Sequence, residues 1–321
     1  MNILVTGGLG FIGSNLVPEL TRRGHEVWVC DLGQSGYERY TRCDVSKFRQ
    51  LEKIFQKGKF EYVYHLAAEY GRWNGEDYYE NLWTTNVVGT KNLIRLQETN
   101  RFRVILFSSA EVYGDYSGEM KEDVMDSVPI RQLNDYAMTK WVNEMQALNS
   151  EAMSGTETVR VRPVNAYGPL EHYSPYRGVI PIFIHHAIKG LPYTVYVSHK
   201  RTFDYVEDTC RTLANIVNNF RPGEVYNLAG KEEHSIKYVS DLILSYLNKD
   251  DSKVTYKEWE PFTTRVKRVD CSKAISHLKH DPKTSLEEGL RRTVEWSKKE
   301  YGKSQSQPTE VLALHSKAAK Q

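Results

Sequence analysis

The fold of this 321-residue chain is decided near its start, by Asn2-Ile3-Leu4-Val5-Thr6-Gly7-Gly8-Leu9-Gly10-Phe11-Ile12-Gly13-Ser14-Asn15. Ile3 to Val5 form a short apolar run typical of a buried strand, and residues 11–23 follow with helical spacing. The glycines between them allow a tight turn and a close approach of the backbone to a ligand. Free N–H groups and the positive end of the helix dipole then favour a phosphate. This order of strand, glycine turn and helix predicts a dinucleotide-binding site.

The next predicted strand, residues 25–30, ends at Asp31. A carboxylate at this strand end can accept hydrogen bonds from both ribose hydroxyls of an adenosine. It would repel a 2′-phosphate, so we expect NAD rather than NADP as the cofactor. A loop aspartate without this role is the alternative, and Arg39 and Arg42 lie within reach in sequence.

Composition narrows the function classes. The net charge of +2 gives no broad basic field, so we expect no nucleic-acid partner. The four cysteines are far apart and show no C-x-x-C spacing, so neither a disulfide framework nor a metal site is expected. The first strand leaves no room for a signal peptide, and no apolar run reaches membrane-spanning length. We therefore expect a cytoplasmic protein without membrane contact.

Predicted strands and helices alternate along the chain. This alternation predicts an α/β fold with a Rossmann-type, doubly wound parallel sheet, whose ligands bind at the carboxyl ends of the strands. Strands are expected at 3–5, 25–30, 62–66, 103–107, 158–161 and 193–197. Helices are expected at 11–23, 46–56, 77–98, 134–150, 179–189, 207–219, 236–247 and 286–299.

The regular alternation weakens after Pro169, which suggests a change of domain. We expect a dinucleotide-binding domain over residues 1–168 and a smaller C-terminal substrate-binding domain over residues 169–302. Residues 303–321 are polar and lack a sustained apolar face, so we expect a flexible tail there.

The chemistry is expected at Tyr136 and Lys140, which lie four residues apart and therefore on one face of a helix. A nearby cation favours the phenolate, so Tyr136 could act as a base near neutral pH. Ser109, at the end of the preceding strand, could hold the same substrate oxygen, with Ser108 as the rival donor. An exposed helix face and a turn serine are the alternatives.

With these residues in place, the chain resembles the extended short-chain dehydrogenase/reductases, the NAD-dependent family of nucleotide-sugar epimerases and dehydratases. The resemblance extends to about residue 301 and implies a homodimer, with part of 201–229 returning to the NAD-binding domain. The segments that carry it are 6–13, 44–45, 65–68, 86–90, 108–114, Tyr136 with Lys140, 162–169, 201–208 and 270–274.

Residue roles follow from the glycine turn, the strand ends and this resemblance together. The expected cofactor-binding residues are Gly7, Gly10, Phe11, Ile12, Gly13, Asp31, Leu32, Asp44, Val45, Leu66, Ala67, Ala68, Asn86, Tyr136, Lys140 and Pro163. The expected binding residues for a nucleotide-diphospho-sugar are Glu69, Arg72, Asn165, Val179, Tyr196, Arg201, Arg265 and Arg268. The resemblance implies that Tyr196 packs on the nucleobase and that Arg201 binds the diphosphate. Arg265 and Arg268 compete for a second diphosphate contact.

The shared chemistry of these relatives is hydride transfer from the sugar, usually at C4, to NAD. Glu111 matches a glutamate of dehydratases and uronic-acid decarboxylases, whereas Ala110 cannot protonate the leaving hydroxyl of a dehydration. We expect an enzyme whose catalytic residues are Ser109, Glu111, Tyr136 and Lys140, and whose leading reaction is epimerisation. Decarboxylation, dehydration and net 4-dehydrogenation remain alternatives, as does a non-catalytic, NAD-sensing regulator.

Overall fold

The structure is a computed structural model that describes residues 1–260 and 263–302. The tail expected at 303–321 lies outside the described residues. Fifteen strands occur in this part of the chain: β1 Asn2–Thr6, β2 Glu26–Asp31, β3 Tyr40–Arg42, β4 Tyr62–His65, β5 Arg103–Phe107, β6 Glu119–Met120, β7 Thr158–Pro163, β8 Ala166–Tyr167, β9 Tyr193–Tyr196, β10 Lys200–Thr202, β11 Asp204–Tyr205, β12 Val225–Leu228, β13 Glu233–Ser235, β14 Val254–Lys257 and β15 Arg268–Val269.

Helices connect and cover these strands. The α-helices are α1 Phe11–Arg22, α2 Phe48–Lys57, α3 Arg72–Asp77, α4 Tyr79–Trp83, α5 Gly89–Asn100, α6 Val124–Ser127, α7 Asp135–Ser154, α8 Val179–Lys189, α9 Val206–Asn215, α10 Ile236–Leu247, α11 Ser272–Leu278 and α12 Leu286–Tyr301. Thr84–Val88 forms a π-helical segment, and Ala110–Tyr113 and Ile216–Asn218 form 3₁₀ turns. Among the described residues, no helix is both long enough and apolar enough to cross a bilayer.

Seven strands form one parallel sheet in the order β12-β7-β5-β4-β1-β2-β3. The chain winds outward from β1 in both directions, so the order reverses between β1 and β4. Ligands of open α/β sheets bind at the carboxyl ends of the strands beside such a reversal. The predicted α/β, doubly wound parallel sheet is confirmed.

Apolar packing explains why the sheet is covered on both faces. One core joins the sheet to α1 and α9 and includes Leu16, Leu20 and Leu213. A second core lies on the opposite face, against α2 and α5, and includes Leu51 and Leu93. A separate cluster packs α8 against α10 and α12 in the C-terminal half of the chain.

The helix expected over residues 77–98 is interrupted, so this prediction is wrong in detail. The chain forms α4, then the π-helical segment at 84–88, and only then α5. Asn86 lies in that segment and is 1% exposed. Its amide accepts a hydrogen bond from the N–H of Glu69 and donates to the Glu69 carbonyl and to the Thr139 hydroxyl. These hydrogen bonds satisfy the buried amide group of Asn86. A regular amphipathic pattern does not predict a buried amide at this position.

Candidate active site

The glycine turn after β1 is shaped for a phosphate. Gly7 has a φ of 70°, and a Cβ added there would lie 2.6 Å from the backbone nitrogen of Ala67. A Cβ at Gly13 would lie 2.4 Å from the carbonyl oxygen of Gly7. The turn therefore brings the start of α1 against the sheet without side chains, and the α1 N–H groups remain available to an anion.

The end of β2 is arranged for a ribose. The carboxylate of Asp31 accepts hydrogen bonds from the N–H of Leu9 at 2.9 Å and from the N–H of Leu32 at 2.7 Å. A carboxylate has about four acceptor positions, so it can still accept from ribose hydroxyls. Leu32 and Asp44 line a shallow surface depression nearby. The glycine turn and this strand end together fit the pyrophosphate and the adenosine half of NAD.

A cavity adjoins the glycine turn, and we call it the inner cavity. It brings together Ser109 from the end of β5, Tyr136 and Lys140 from α7, and Pro163 from the end of β7. The other expected site residues that line it are Gly7, Gly10, Phe11, Ile12, Gly13, Leu66, Ala68, Glu111 and Asn165.

The acid–base properties of Tyr136 differ from the expectation. Burial raises the pKa of its hydroxyl well above the ordinary value, the nearby Tyr70 raises it further, and the Ser109 hydroxyl opposes this. Lys140 is 4% exposed and donates to the Phe107 carbonyl at 2.8 Å, with its Nζ 5.7 Å from the centre of the Tyr136 ring. Burial also lowers the pKa of Lys140 to about 8. The protein's own groups therefore do not favour the phenolate, because burial outweighs the hydrogen bond from Ser109.

Ser108, the rival of Ser109, has a different partner. Its hydroxyl donates to the carboxylate of Glu144, which is completely buried. Arg162 pairs with both Glu144 oxygens at 2.7 and 2.8 Å and donates to the Tyr113 hydroxyl. A buried ion pair is tolerated when hydrogen bonds satisfy both partners, as they do here. Both serines line the inner cavity, but the Ser108 hydroxyl donates to Glu144, whereas no carboxylate in the described part of the chain takes the Ser109 hydroxyl.

Glu111 forms an ion pair that the sequence did not suggest. Its carboxylate contacts the ammonium group of Lys267, which is 5% exposed and lines the inner cavity. Burial alone would raise the pKa of Glu111, but Lys267 and, more weakly, Arg201 hold it below the ordinary value. Burial lowers the pKa of Lys267, and the Glu111 charge opposes that change. Glu111 is therefore ionised beside Ser109.

A second cavity, the outer cavity, continues from the inner one toward the C-terminal half. It is lined by Arg72, Asn165, Val179, Tyr196 and Arg201, all expected to contact substrate. Seven residues line both cavities, and we call them the shared wall: Tyr70, Glu111, Tyr136, Asn165, Ala166, Glu171 and Arg177.

Two arginines reach the outer cavity with partners already in place. Arg72 pairs with Glu260 at 2.5 Å. Arg201 donates to the carbonyls of Thr264 and Arg265, both at 2.6 Å, and so holds the segment that precedes Lys267. Arg201 is only 9% exposed. Both side chains are thereby fixed in orientation.

Several expected site residues do not line either cavity. Glu69 accepts from the amides of Asn74 and Asn81, and Arg265 and Arg268 are exposed while Lys267 between them faces inward. Those that line neither cavity are Asp31, Leu32, Asp44, Val45, Ala67, Glu69, Asn86, Arg265 and Arg268. Asn86 and Glu69 therefore support the loop after β4 rather than enclosing the cavity space.

Three residues of the shared wall have polar or charged side chains that the sequence analysis did not predict as site residues. They are Tyr70, Glu171 and Arg177, and Lys267 joins them in the inner cavity. The ring of Tyr70 lies edge-on to that of Tyr136, with centroids 5.4 Å apart, and Arg177 lies 5.3 Å from the centre of the Tyr70 ring. Their only signal in the sequence was their place in loops that follow strand ends.

Comparison with known proteins agrees with this geometry. Residues 3–229 match the model of the NAD-dependent epimerase/dehydratase family. The chain belongs to that family. The predicted family, the assignment as an enzyme and the NAD cofactor of the family are thereby confirmed.

Individual relatives differ in the reaction that they catalyse. The chain is 30% identical to the UDP-N-acetyl-α-D-glucosaminuronate decarboxylase of Bacillus cytotoxicus, over 91% of this chain and 96% of that one. Its fold is similar to that of the Thermus thermophilus UDP-glucose 4-epimerase in complex with NAD, with a TM-score of 0.82 and 26% identity. The match covers 92% of this chain and 98% of that one. It is also similar to MoeE5 in complex with UDP-glucuronic acid and NAD, with a TM-score of 0.83 and 27% identity. That match covers 94% of this chain and 100% of the other. The enzyme therefore belongs to the nucleotide-sugar branch of epimerases, dehydratases and decarboxylases.

Proposed function

We propose that this enzyme decarboxylates a nucleotide-linked uronic acid through transient oxidation at C4. The observation that carries the proposal is the ion pair of Glu111 and Lys267, placed in the same cavity as Ser109 and Tyr136. Oxidation and re-reduction at C4 need a proton acceptor and a hydrogen-bond donor at one oxygen. Tyr136 and Ser109 supply both, so the ion pair serves a further step.

The electrostatics of the pair suit the loss of a carboxylate. Moving a lysine out of water is costly, and a buried pair is weak evidence for stability alone. A fixed cation beside the reacting carbon stabilises negative charge as it develops there, because no reorganisation is needed at that moment. Lys267 provides that cation, and Glu111 keeps it oriented and charged.

The residues divide the reaction as follows. Bound NAD would accept the C4 hydride and later return it. Tyr136 takes the proton from the C4 hydroxyl and gives it back at the end, while Ser109 holds that oxygen. The positive charge of a bound nicotinamide would favour the phenolate, which the protein alone does not. Lys140 fixes the end of β5 through the Phe107 carbonyl. A ketone at C4 makes the C6 carboxylate a β-keto acid, so the C5–C6 bond can break with release of CO₂.

The comparisons support a uronic acid as the substrate class. By its printed name, the Bacillus cytotoxicus relative decarboxylates a nucleotide-linked uronic acid. MoeE5, a structural neighbour, was solved with a nucleotide-linked uronic acid bound. Arg177 adds a half-buried cation to the shared wall, next to the space where the sugar must meet the cofactor.

Epimerisation, the leading expectation from the sequence, remains the second candidate. The observation that favours it is Ala110, which is 3% exposed and lines the inner cavity without a polar group. The position therefore offers neither the acid that dehydration uses nor the hydroxyl residue that the decarboxylases usually carry. Similarity to the Thermus thermophilus epimerase is consistent with this alternative.

A product screen distinguishes the candidates. The purified enzyme with NAD is offered UDP-, dTDP-, GDP- and CDP-linked glucose and glucuronic acid, and the products are analysed by mass spectrometry and chromatography. Decarboxylation shortens the sugar by the mass of CO₂, whereas an epimer keeps the mass and changes its retention. A product of unchanged mass from every uronic acid would refute the proposal, and absence of any NADH signal or product would favour a non-catalytic regulator.

Glu111 provides a direct test of the second step. Glu111→Gln should slow CO₂ release by about 10²–10⁴-fold, because Lys267 loses its partner and orientation. The first hydride transfer should survive, so NADH and a 4-keto sugar should accumulate. Glu119→Gln, on an exposed residue of β6, is the matched control and should behave as the parent enzyme. Unimpaired turnover in Glu111→Gln would instead favour epimerisation.

A further inference from the structure

Glu171 is a buried carboxyl group in the shared wall that no step described so far uses. It follows β8 and the turn at Gly168-Pro169, and it is 7% exposed. Its N–H donates to the Gly168 carbonyl at 3.3 Å, which fixes the backbone at this turn. Because the residue lines both cavities, its side chain borders the space between the glycine turn and Arg201.

The carboxyl group has no hydrogen-bond partner among the described residues. The charged and titratable groups around it are Arg177 on its own loop, Tyr70 from the loop after β4, and Tyr301 at the end of α12. Arg177 is close enough to act on it electrostatically but does not bond to it. The carboxyl group therefore borders cavity space instead of a protein partner, and active sites are where titratable groups are held in this way.

Decarboxylation creates a need that neither Tyr136 nor Glu111 meets. When the C5–C6 bond breaks, its electron pair stays on C5 and spreads to the C4 oxygen, so C5 must receive a proton. Tyr136 is occupied at the C4 oxygen. Glu111 is ionised by Lys267 and has no proton to give.

We propose that Glu171 is the catalytic acid that delivers a proton to C5 after CO₂ has left. This inference rests on the proposed decarboxylation and adds a residue to it. The O–H bond of Glu171 breaks as the C5–H bond forms, which leaves a carboxylate at Glu171. That carboxylate recovers a proton from solvent before the next turnover. Each cycle thus consumes one solvent proton and releases one CO₂, with no net oxidation.

The acidity of the group suits this role. Burial raises the pKa of Glu171 to about 7, and the positive charge of Arg177 only partly opposes the rise. A general acid works best when its pKa lies near the working pH, because it is then both protonated and able to donate. Glu111 and Glu171 thus face one space with pKa values shifted in opposite directions, a pattern that assigns acid and base in other enzymes.

Single-turnover kinetics of the NAD-loaded enzyme test the assignment, with the glucuronic acid nucleotide that the product screen selects. In Glu171→Gln, NADH formation should stay within about twofold. The later consumption of NADH, which gives the reduced and decarboxylated product, should slow by about 10²-fold or more because C5 is no longer protonated. The alkaline fall in the parent's product-forming rate, above about pH 7, should be absent in the variant. Glu295→Gln, exposed on α12, is the matched control.

A measurement in D₂O on the parent enzyme keeps the proposal falsifiable even if the variant misfolds. A positioned acid should place deuterium on one of the two C5 positions, as read by proton NMR of the product. Equal labelling of both positions, or an unchanged product-forming rate in folded Glu171→Gln, would overturn the role of Glu171. If the parent releases no CO₂ from any nucleotide uronic acid, the proposed function itself fails, and the two failures are distinguishable.

Discussion

Replacing Glu171 by glutamine should stabilise the folded protein, and the gain should grow with pH. The native carboxyl group has a pKa of about 7, against an ordinary value of 4.5. The folded state therefore holds its proton where the unfolded state has lost it. The contribution of Glu171 to the free energy of unfolding is therefore largest below pH 4.5. It decreases as the pH rises from 4.5 toward 7. Glutamine does not titrate, so the variant avoids the loss.

The magnitude follows from the two pKa values. Each pKa unit is worth about 1.4 kcal/mol, so linkage gives a gain for Glu171→Gln of about 1 kcal/mol at pH 5 and about 3 kcal/mol at pH 8. The unfolding entropy is about 2.1 cal/mol/K per residue, so the melting temperature should rise by about 1 °C at pH 5 and about 5 °C at pH 8.

Calorimetric unfolding of parent and variant at both pH values, without ligands, measures this difference. The difference between the two pH values is the decisive measurement, because a change in packing caused by the amide would shift the melting temperature equally at both. Glu295→Gln, at an exposed position, should show the same small effect at each pH. A gain that does not grow between pH 5 and pH 8 would refute a protonated Glu171, and a loss at pH 8 would mean that Arg177 stabilises the carboxylate.

Two further predictions concern the catalytic and cofactor residues. Tyr136→Phe keeps the ring but removes the acid–base proton, so turnover should fall by about 10²–10⁴-fold. NAD binding, measured by calorimetric titration, should be unchanged. Near-normal turnover would exclude Tyr136 from its role. NAD should bind at least about tenfold more tightly than NADP, because the Asp31 carboxylate would meet the 2′-phosphate; equal affinities in the same titration would show that Asp31 does not contact the ribose.

The parts of the fold with strong periodicity were predictable from the sequence. The strand at residues 103–107 and the helices at 179–189 and 236–247 have the bounds that were expected. The three-residue strand β3 was missed because it is too short for alternation to show. The start of the helix expected at 46–56 is also wrong by two residues, since α2 begins at Phe48 after Lys47.

The site was predictable where its residues are close in sequence. The glycine turn and the spacing of Tyr136 and Lys140 are local patterns, and Ser109 follows a clear strand. Lys267 lies 156 residues from Glu111, and no local pattern links a lysine and a glutamate that far apart. The acidity of Tyr136 was misjudged for a similar reason, since its burial and the proximity of Tyr70 are properties of the folded chain.

The position of β12 sets the earliest point during synthesis at which the turn that carries Ser109 and Glu111 can be supported. Asn227 in this strand accepts a hydrogen bond from the Tyr113 hydroxyl at 2.9 Å and donates to the carbonyls of Met120 and Asp270. The turn that carries Ser109 and Glu111 is therefore anchored by residues made more than a hundred positions later. A nascent chain that had left the ribosome only as far as residue 168 would present β7 as an open sheet edge, a template for pairing with other chains. Ser109 and Glu111 are encoded early in the chain, but translation must pass residue 228 before the support behind their turn can form.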